Sequence, residues 1–172
     1  MTTPVEFVPP FTEGWYYLGA TYAGHSDYSV DFNRRTRNGG WMDDTGDPVL
    51  AAANGTVSEV DKRDGLVMVN HFGGRYRTEY RHMSDITVRV GQRVKRGDRL
   101  GSIGNVAGDG RSFGAHLHHV HYRRAKATAP WRRRQMRFYG EPLEVSAPSG
   151  NKPDGWTPPL PEMVVGPAKA PR

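Results

Sequence analysis

The sequence predicts an all-β domain of short antiparallel strands with little helix. Three observations carry that reading. Glycine and proline are plentiful, at 21 and 13 of 172 residues, which favours strands joined by turns over a helix bundle. No stretch between residues 48 and 122 sustains the 3.6-residue apolar period of a helix. Asn54-Gly55, Asp64-Gly65 and Gly73-Gly74 are dipeptides that favour hairpin turns. The length suits one domain with a core that needs no cross-links.

Residues 1–15 read as a loop rich in proline and aromatics. YSVDFN (28–33) alternates as a strand, with Tyr28, Val30 and Phe32 on one face and Ser29, Asp31 and Asn33 on the other. Residues 33–48 read as a loop. Residues 48–83 read as three short strands, broken at the dipeptides above. ITVRVGQRVKRGDRLGSIG (86–104) is a meander punctuated by glycine, and 105–116 a loop. FYGEPLEV (138–145) is a candidate closing strand. From Ser146 onward proline and glycine dominate and no period survives, so 146–172 is expected to be a flexible tail or linker after a domain at 1–145.

The formal charge is +6 and the isoelectric point about 9.8, so polyanions should be attracted to this surface. There is no cysteine, which removes disulfides and leaves histidine and carboxylates as metal donors. No apolar run approaches the ~18 residues that span a bilayer. The first fifteen residues lack the basic and apolar regions of a secretory signal. No nucleic-acid-binding motif appears, and the arginine run in WRRRQMRF (131–138) is not interleaved with stacking aromatics. Neither nucleic acid nor membrane is therefore expected as a partner, and a monomer is expected.

GAHLHHVHY (114–122) places four of the seven histidines within six positions. In a strand, His116, His118, Val120 and Tyr122 share one face, while Leu117, His119 and His121 share the other. TEYRHM places Tyr80 and His82 on one face of another strand. Asp31 points away from its apolar neighbours, where an acid needs a cation to be buried. His25 lies six residues upstream. Together these make a His/Asp/His set with further histidines nearby. Zinc accepts such donors at about 2 Å in tetrahedral geometry, and three protein ligands leave a fourth position for water.

Several ordered pieces resemble the lysostaphin-type, LytM-like zinc metallopeptidases that cut peptidoglycan peptides. They are GHSDYSVDFN, DTGDPVLAAANGTVSEV, TEYRHMSDITVRVGQRVKRGDRLGSIGNVAGDG and GAHLHHVHY, running from about Gly24 to His121. The first piece resembles the family's first His…Asp motif as it appears in actinobacterial and phage members. The resemblance implies an antiparallel groove or sandwich akin to a barrel-sandwich hybrid. It implies one zinc ion held by His25, Asp31 and His118, with His116 as general base. His82 would orient water or stabilise the transition state. Five residues separate His25 from Asp31, where the commonest family motif has three, so Asp27 is a rival ligand. His71 is expected to be structural or exposed, and His119 and His121 to lie on the outer or opposite face. Tyr80 is expected to pack beside His82. Asn105 and Ser112, on the rim loop, are candidate substrate contacts.

The implied activity is endopeptidase cleavage of stem peptides or cross-bridges in bacterial peptidoglycan, with the basic surface holding anionic wall polymers. Two settings fit: a phage lysin released after membrane disruption, or a secreted autolysin with its signal removed. The competing expectation is a catalytically inactive regulator of other wall hydrolases.

Overall fold

A computed structural model describes residues 6–11, 16–20, 28–34, 44–111, 114–138, 141–142 and 163–164. In chain order the strands are β1 (Tyr16–Ala20), β2 (Ser29–Arg34), β3 (Pro48–Leu50), β4 (Gly55–Asp61), β5 (Leu66–His71), β6 (Tyr76–Arg81) and β7 (Met83–Ser84). They continue as β8 (Arg93–Val94), β9 (Arg99–Ile103), β10 (Leu117–Arg123), β11 (Arg132–Arg134), β12 (Arg137–Phe138), β13 (Glu141–Pro142) and β14 (Met163–Val164). Among the described residues the only helical element is a three-residue 3-10 turn, Phe72–Gly74. The expected antiparallel β architecture is therefore what forms.

The main sheet runs β14-β1-β2-β10-β6-β5-β4-β8. β2 lies along the first half of one edge of β10, and β11 continues along the second half. The path does not return on itself, so the sheet is open. β3, β9 and β7 form a second, smaller sheet, and β12 with β13 a short hairpin.

Asp64-Gly65 and Gly73-Gly74 fall in the turns between β4 and β5 and between β5 and β6, whereas Gly55 opens β4 and the strands flanking Asn54-Gly55 lie in different sheets. Residues 48–83 nevertheless hold five strands instead of three, because the ends of that stretch pair with β9 and join the smaller sheet. Gly65 shows why its turn needs glycine. Its φ is +59°, and an added Cβ would lie 2.6 Å from the Met83 carbonyl oxygen. Residues 6–11 are loop, as expected, yet Phe7, Val8 and Phe11 are buried. Backbone bonds from Val8 N–H to Ala52 O and from Leu50 N–H to Pro10 O hold this segment down.

One face of the main sheet supplies Val30, Phe32, Leu117, Tyr80, Val67, Val69 and Val57 to the core. Val49, Leu100, Ile103 and Met83 of the smaller sheet pack there too, with Met136 and Phe138 closing the side. Phe32 meets Phe11 edge-on at 5.1 Å between centroids. Burying such a ring contributes roughly 2–3 kcal/mol. The alternation in β2 holds for Val30, Phe32 and Asp31. Tyr28 departs from it and is 56% exposed, because its φ of 62° turns the chain just before the strand begins.

Candidate active site

Asp31 on β2 and His118 on β10 are direct cross-strand partners. Partners in a ladder place their side chains on the same face. Here His118 Nδ1 lies 2.9 Å from Asp31 Oδ1, with the side chains 14% and 10% exposed. Both point away from the core face that carries Val30, Phe32 and Leu117. A buried carboxylate is costly without a polar or charged partner, and the His118 ring is one such partner.

His116 enters β10 from the rim loop and is fixed by its backbone N–H donating to Gly104 O at 3.2 Å. Its Nε2 lies 3.8 Å from Asp31 Oδ1. Its Nδ1 lies 2.9 Å from the Gly114 carbonyl oxygen. A carbonyl only accepts, so Nδ1 carries the proton and donates it there. That leaves Nε2 on the Asp31 side.

His82 sits directly after β6 with a φ of 65°. This left-handed residue breaks the strand alternation, and the expectation that Tyr80 and His82 share a face fails for that reason. Tyr80 is fully buried in the core and packs on His119, with centroids 4.7 Å apart. The His82 ring instead swings beside His116 and His118, at 4.7 and 5.9 Å. Its Nδ1–H donates to Val106 O at 2.9 Å. Burial, then the neighbouring imidazoles, pull its pKa down to about 4, so the ring is neutral near pH 7.

A network that the sequence did not disclose braces this cluster. Arg81, the other cross-strand partner of His118, donates through Nε to Glu79 Oε1 and through a terminal nitrogen to Asp64 Oδ2 at 2.8 Å. The Tyr122 hydroxyl donates to Glu79 Oε2 at 2.7 Å. Asp64, in the turn before β5, accepts the Gly108 N–H at 2.9 Å through Oδ1. The Gly108 backbone bond, helped by Arg81, holds the Asp64 carboxyl below its ordinary range. A Cβ at position 108 would approach Asp64 Oδ1 to 2.4 Å, so a side chain there would push the Asp64 carboxylate out of this bond. Asp64 thereby anchors the loop whose Val106 carbonyl orients His82. Only the Asp64-Gly65 turn was readable beforehand. The pairing with Gly108 spans 44 positions and has no local signature.

His119 and His121 lie on the opposite, core face, as expected, and both are buried with His71. His119 Nδ1–H donates to Glu79 O at 2.7 Å, and His121 Nε2 lies 3.1 Å from His119 Nε2. His71 bridges Asn54 O and the Thr78 hydroxyl, each at 2.8 Å. Of the two alternatives for His71, structural and exposed, the first holds. Desolvation lowers the pKa of His71 to about 4 and of His119 to about 3, and that of His121 well below its ordinary value.

Of the sequence-predicted site residues, Asp31, His82, His116 and His118 converge. His25, Asp27 and Ser112 lie outside the described residues, and Asn105 is exposed on the rim loop. Among the described residues no three His, Asp or Glu side chains form a complete metal site. The pair that converges still fits one. Donors about 2 Å from one tetrahedral zinc lie roughly 3.3 Å apart, and Asp31 Oδ1 and His118 Nδ1 are near that spacing. A divalent ion between them would replace the proton they now share.

The profile of peptidase family M23 matches residues 40–130. An uncharacterised metalloprotease of Haemophilus influenzae is 40% identical over 89 residues, covering 49% of this chain and 18% of that protein. The peptidoglycan DD-endopeptidase ShyA of Vibrio cholerae is 40% identical over 76 residues, covering 43% and 17%. This chain thus spans less than a fifth of either curated relative. Among solved structures, the deep-sea M23 metalloprotease pseudoalterin superposes with a TM-score of 0.57 at 24% identity, over 72% of this chain and 74% of that one. Since the family profile covers more than half of the sequence and takes in His82, His116 and His118, the chain belongs to peptidase family M23.

Proposed function

We propose that this chain is a zinc-dependent endopeptidase that hydrolyses peptide bonds in bacterial peptidoglycan. The observation that carries this reading is the Asp31–His118 contact at 2.9 Å with the His116 and His82 rings beside it, in a chain of an established peptidase family. The peptidoglycan specificity named for ShyA supports the substrate class. The face bearing these residues is read as the floor of a lysostaphin-type groove.

His25, Asp31 and His118 would hold one zinc ion. When bound, zinc polarises the scissile carbonyl and lowers the pKa of water toward ~7. His116 is the general base. Its Nδ1–H is committed to Gly114, so Nε2 takes the proton from attacking water and returns it to the departing amine. His82, neutral and with Nδ1–H committed to Val106, offers only a lone pair at Nε2. That favours orienting water over donating to an oxyanion. Ligand and base imidazoles act unprotonated, so acid should lower activity.

The resemblance of GHSDYSVDFN to phage and actinobacterial members supports a lysin acting at the cell wall. The test is incubation of zinc-loaded protein with purified peptidoglycan of defined cross-link types, reading newly exposed amino groups. Release is expected, and His116→Ala should reduce it by about 10²–10⁴-fold. A chain that binds zinc yet releases nothing from any type is instead a non-catalytic regulator.

A further inference from the structure

The segment RRAKATAPWRRRQMRF (123–138) holds seven cationic residues and no acidic one. The fold concentrates it. β11 folds back on β10 with Tyr122 opposite Arg133 and Arg123 opposite Arg132. On the other side of β10, Tyr122 faces Arg77 and Arg123 faces Tyr76. Cations therefore gather on both faces of one end of the sheet. On the site face, Arg77 and Arg124 lie over the Trp131 ring at 4.4 and 4.2 Å. On the other, Arg123 and Arg134 lie over Tyr76, each at 5.7 Å.

Three guanidiniums of this cluster are held by neutral acceptors. Arg77 donates to Asn70 Oδ1 at 2.8 Å and Arg124 to Gly74 O at 2.6 Å, while Arg133 bonds the Tyr122 phenol. Among the described residues, no carboxylate lies within ion-pair distance of Arg77, Arg123, Arg124, Arg132, Arg133 or Arg134. Glu59 and Glu79 act on Arg77 only from beyond that distance, so no direct ion pair neutralises the cluster, which is the arrangement that receives an anion. Along β11, charges on one face recur every second residue, about 6–7 Å apart. A chain of repeated anions matches that better than a single small ion.

We propose that this end of the sheet is a binding surface for a polyphosphodiester chain of the cell wall, distinct from the hydrolytic site. The choice of a wall polymer rests on the peptidase reading above. Tyr122 lies four residues beyond His118 on β10, about 13 Å away, and Val120, Ser29 and Glu79 between them are buried. Anchoring here would hold the enzyme near its substrate without occupying the groove. Single-stranded nucleic acid fits less well. It stacks bases on aromatic faces, and both rings at this end already carry two guanidiniums each.

The test is co-sedimentation of the full chain with purified walls, before and after mild acid removes their phosphodiester polymers. The native chain should bind intact walls and lose about tenfold or more in affinity for stripped walls. Arg132→Glu/Arg133→Glu and the milder Arg132→Gln/Arg133→Gln should lose comparably on intact walls, with the thermal midpoint as a control for folding. Both should cleave a short soluble peptide substrate as the native chain does. If the peptidase reading fails, no variant cleaves the peptide, yet the difference in wall binding stands. Equal binding to stripped walls, undiminished binding by the glutamine variant, or tighter binding to a single-stranded oligonucleotide than to intact walls overturns the proposal.

Discussion

Backbone carbonyls fix both His116 and His82, and it is their position relative to Asp31 that separates the roles proposed for them. Each ring gives its Nδ1–H to a carbonyl, Gly114 for one and Val106 for the other, which fixes the tautomer. His116 Nε2 then faces the Asp31 carboxylate, while His82 stands behind with its pKa down at about 4. On this account His82→Ala retains zinc and loses less turnover than His116→Ala, because it removes an orienting acceptor and not the base. Metal content and kcat of the two variants check this. Equal losses would mean that the two rings act as one unit. The alternation in AHLHHVHY made the separation of His118 from His119 legible in the sequence, since a strand has a fixed period of two. The position of His82 was not legible, because its left-handed φ carries no glycine or asparagine signal.

At the scale of elements, the site is a seam between β2 and β10 with a braced loop beside it. Hydrophobic alternation announced both strands, and their pairing follows from burying Val30 and Phe32 with Leu117. The loop at 105–111 was recognised as a rim, but its attachment was not. Asp64 reaches it from a turn 44 positions earlier, a contact that composition and periodicity do not encode. Its consequence is measurable. Asp64→Ala frees Gly108 and the Val106 carbonyl, and a small misplacement of His82 should lower kcat by about ten- to a hundredfold. Zinc content should not change, and Asp64→Asn, which keeps an acceptor, should recover part of the loss. Unchanged kcat in Asp64→Ala would show that the loop is held by other means.

For the whole molecule, one face of the main sheet carries the reactive cluster and the other a core that contains three histidines. Composition and turn dipeptides disclosed the antiparallel β class. They did not disclose that His71, His119 and His121 would be core residues, because histidine is also common on surfaces. Their burial has a price in acid. Folded pKa values of about 4 for His71 and about 3 for His119 lie below the ordinary 6.5, so the unfolded chain takes up protons first. Stability is therefore complete above about pH 6.5 and falls as pH drops toward the folded values, by up to about 1.4 kcal/mol per pH unit for each such group. Thermal midpoints should decline steadily from about pH 6.5 to pH 4.5, and a flat profile would contradict the burial. The central claim is that Asp31 and His118 close on one metal ion. Zinc per chain, measured by mass spectrometry after dialysis, tests it most directly: about one for the native chain and for Asp27→Ala, and close to none for Asp31→Ala and His118→Ala. Zinc retained by Asp31→Ala, or lost from Asp27→Ala, would contradict it.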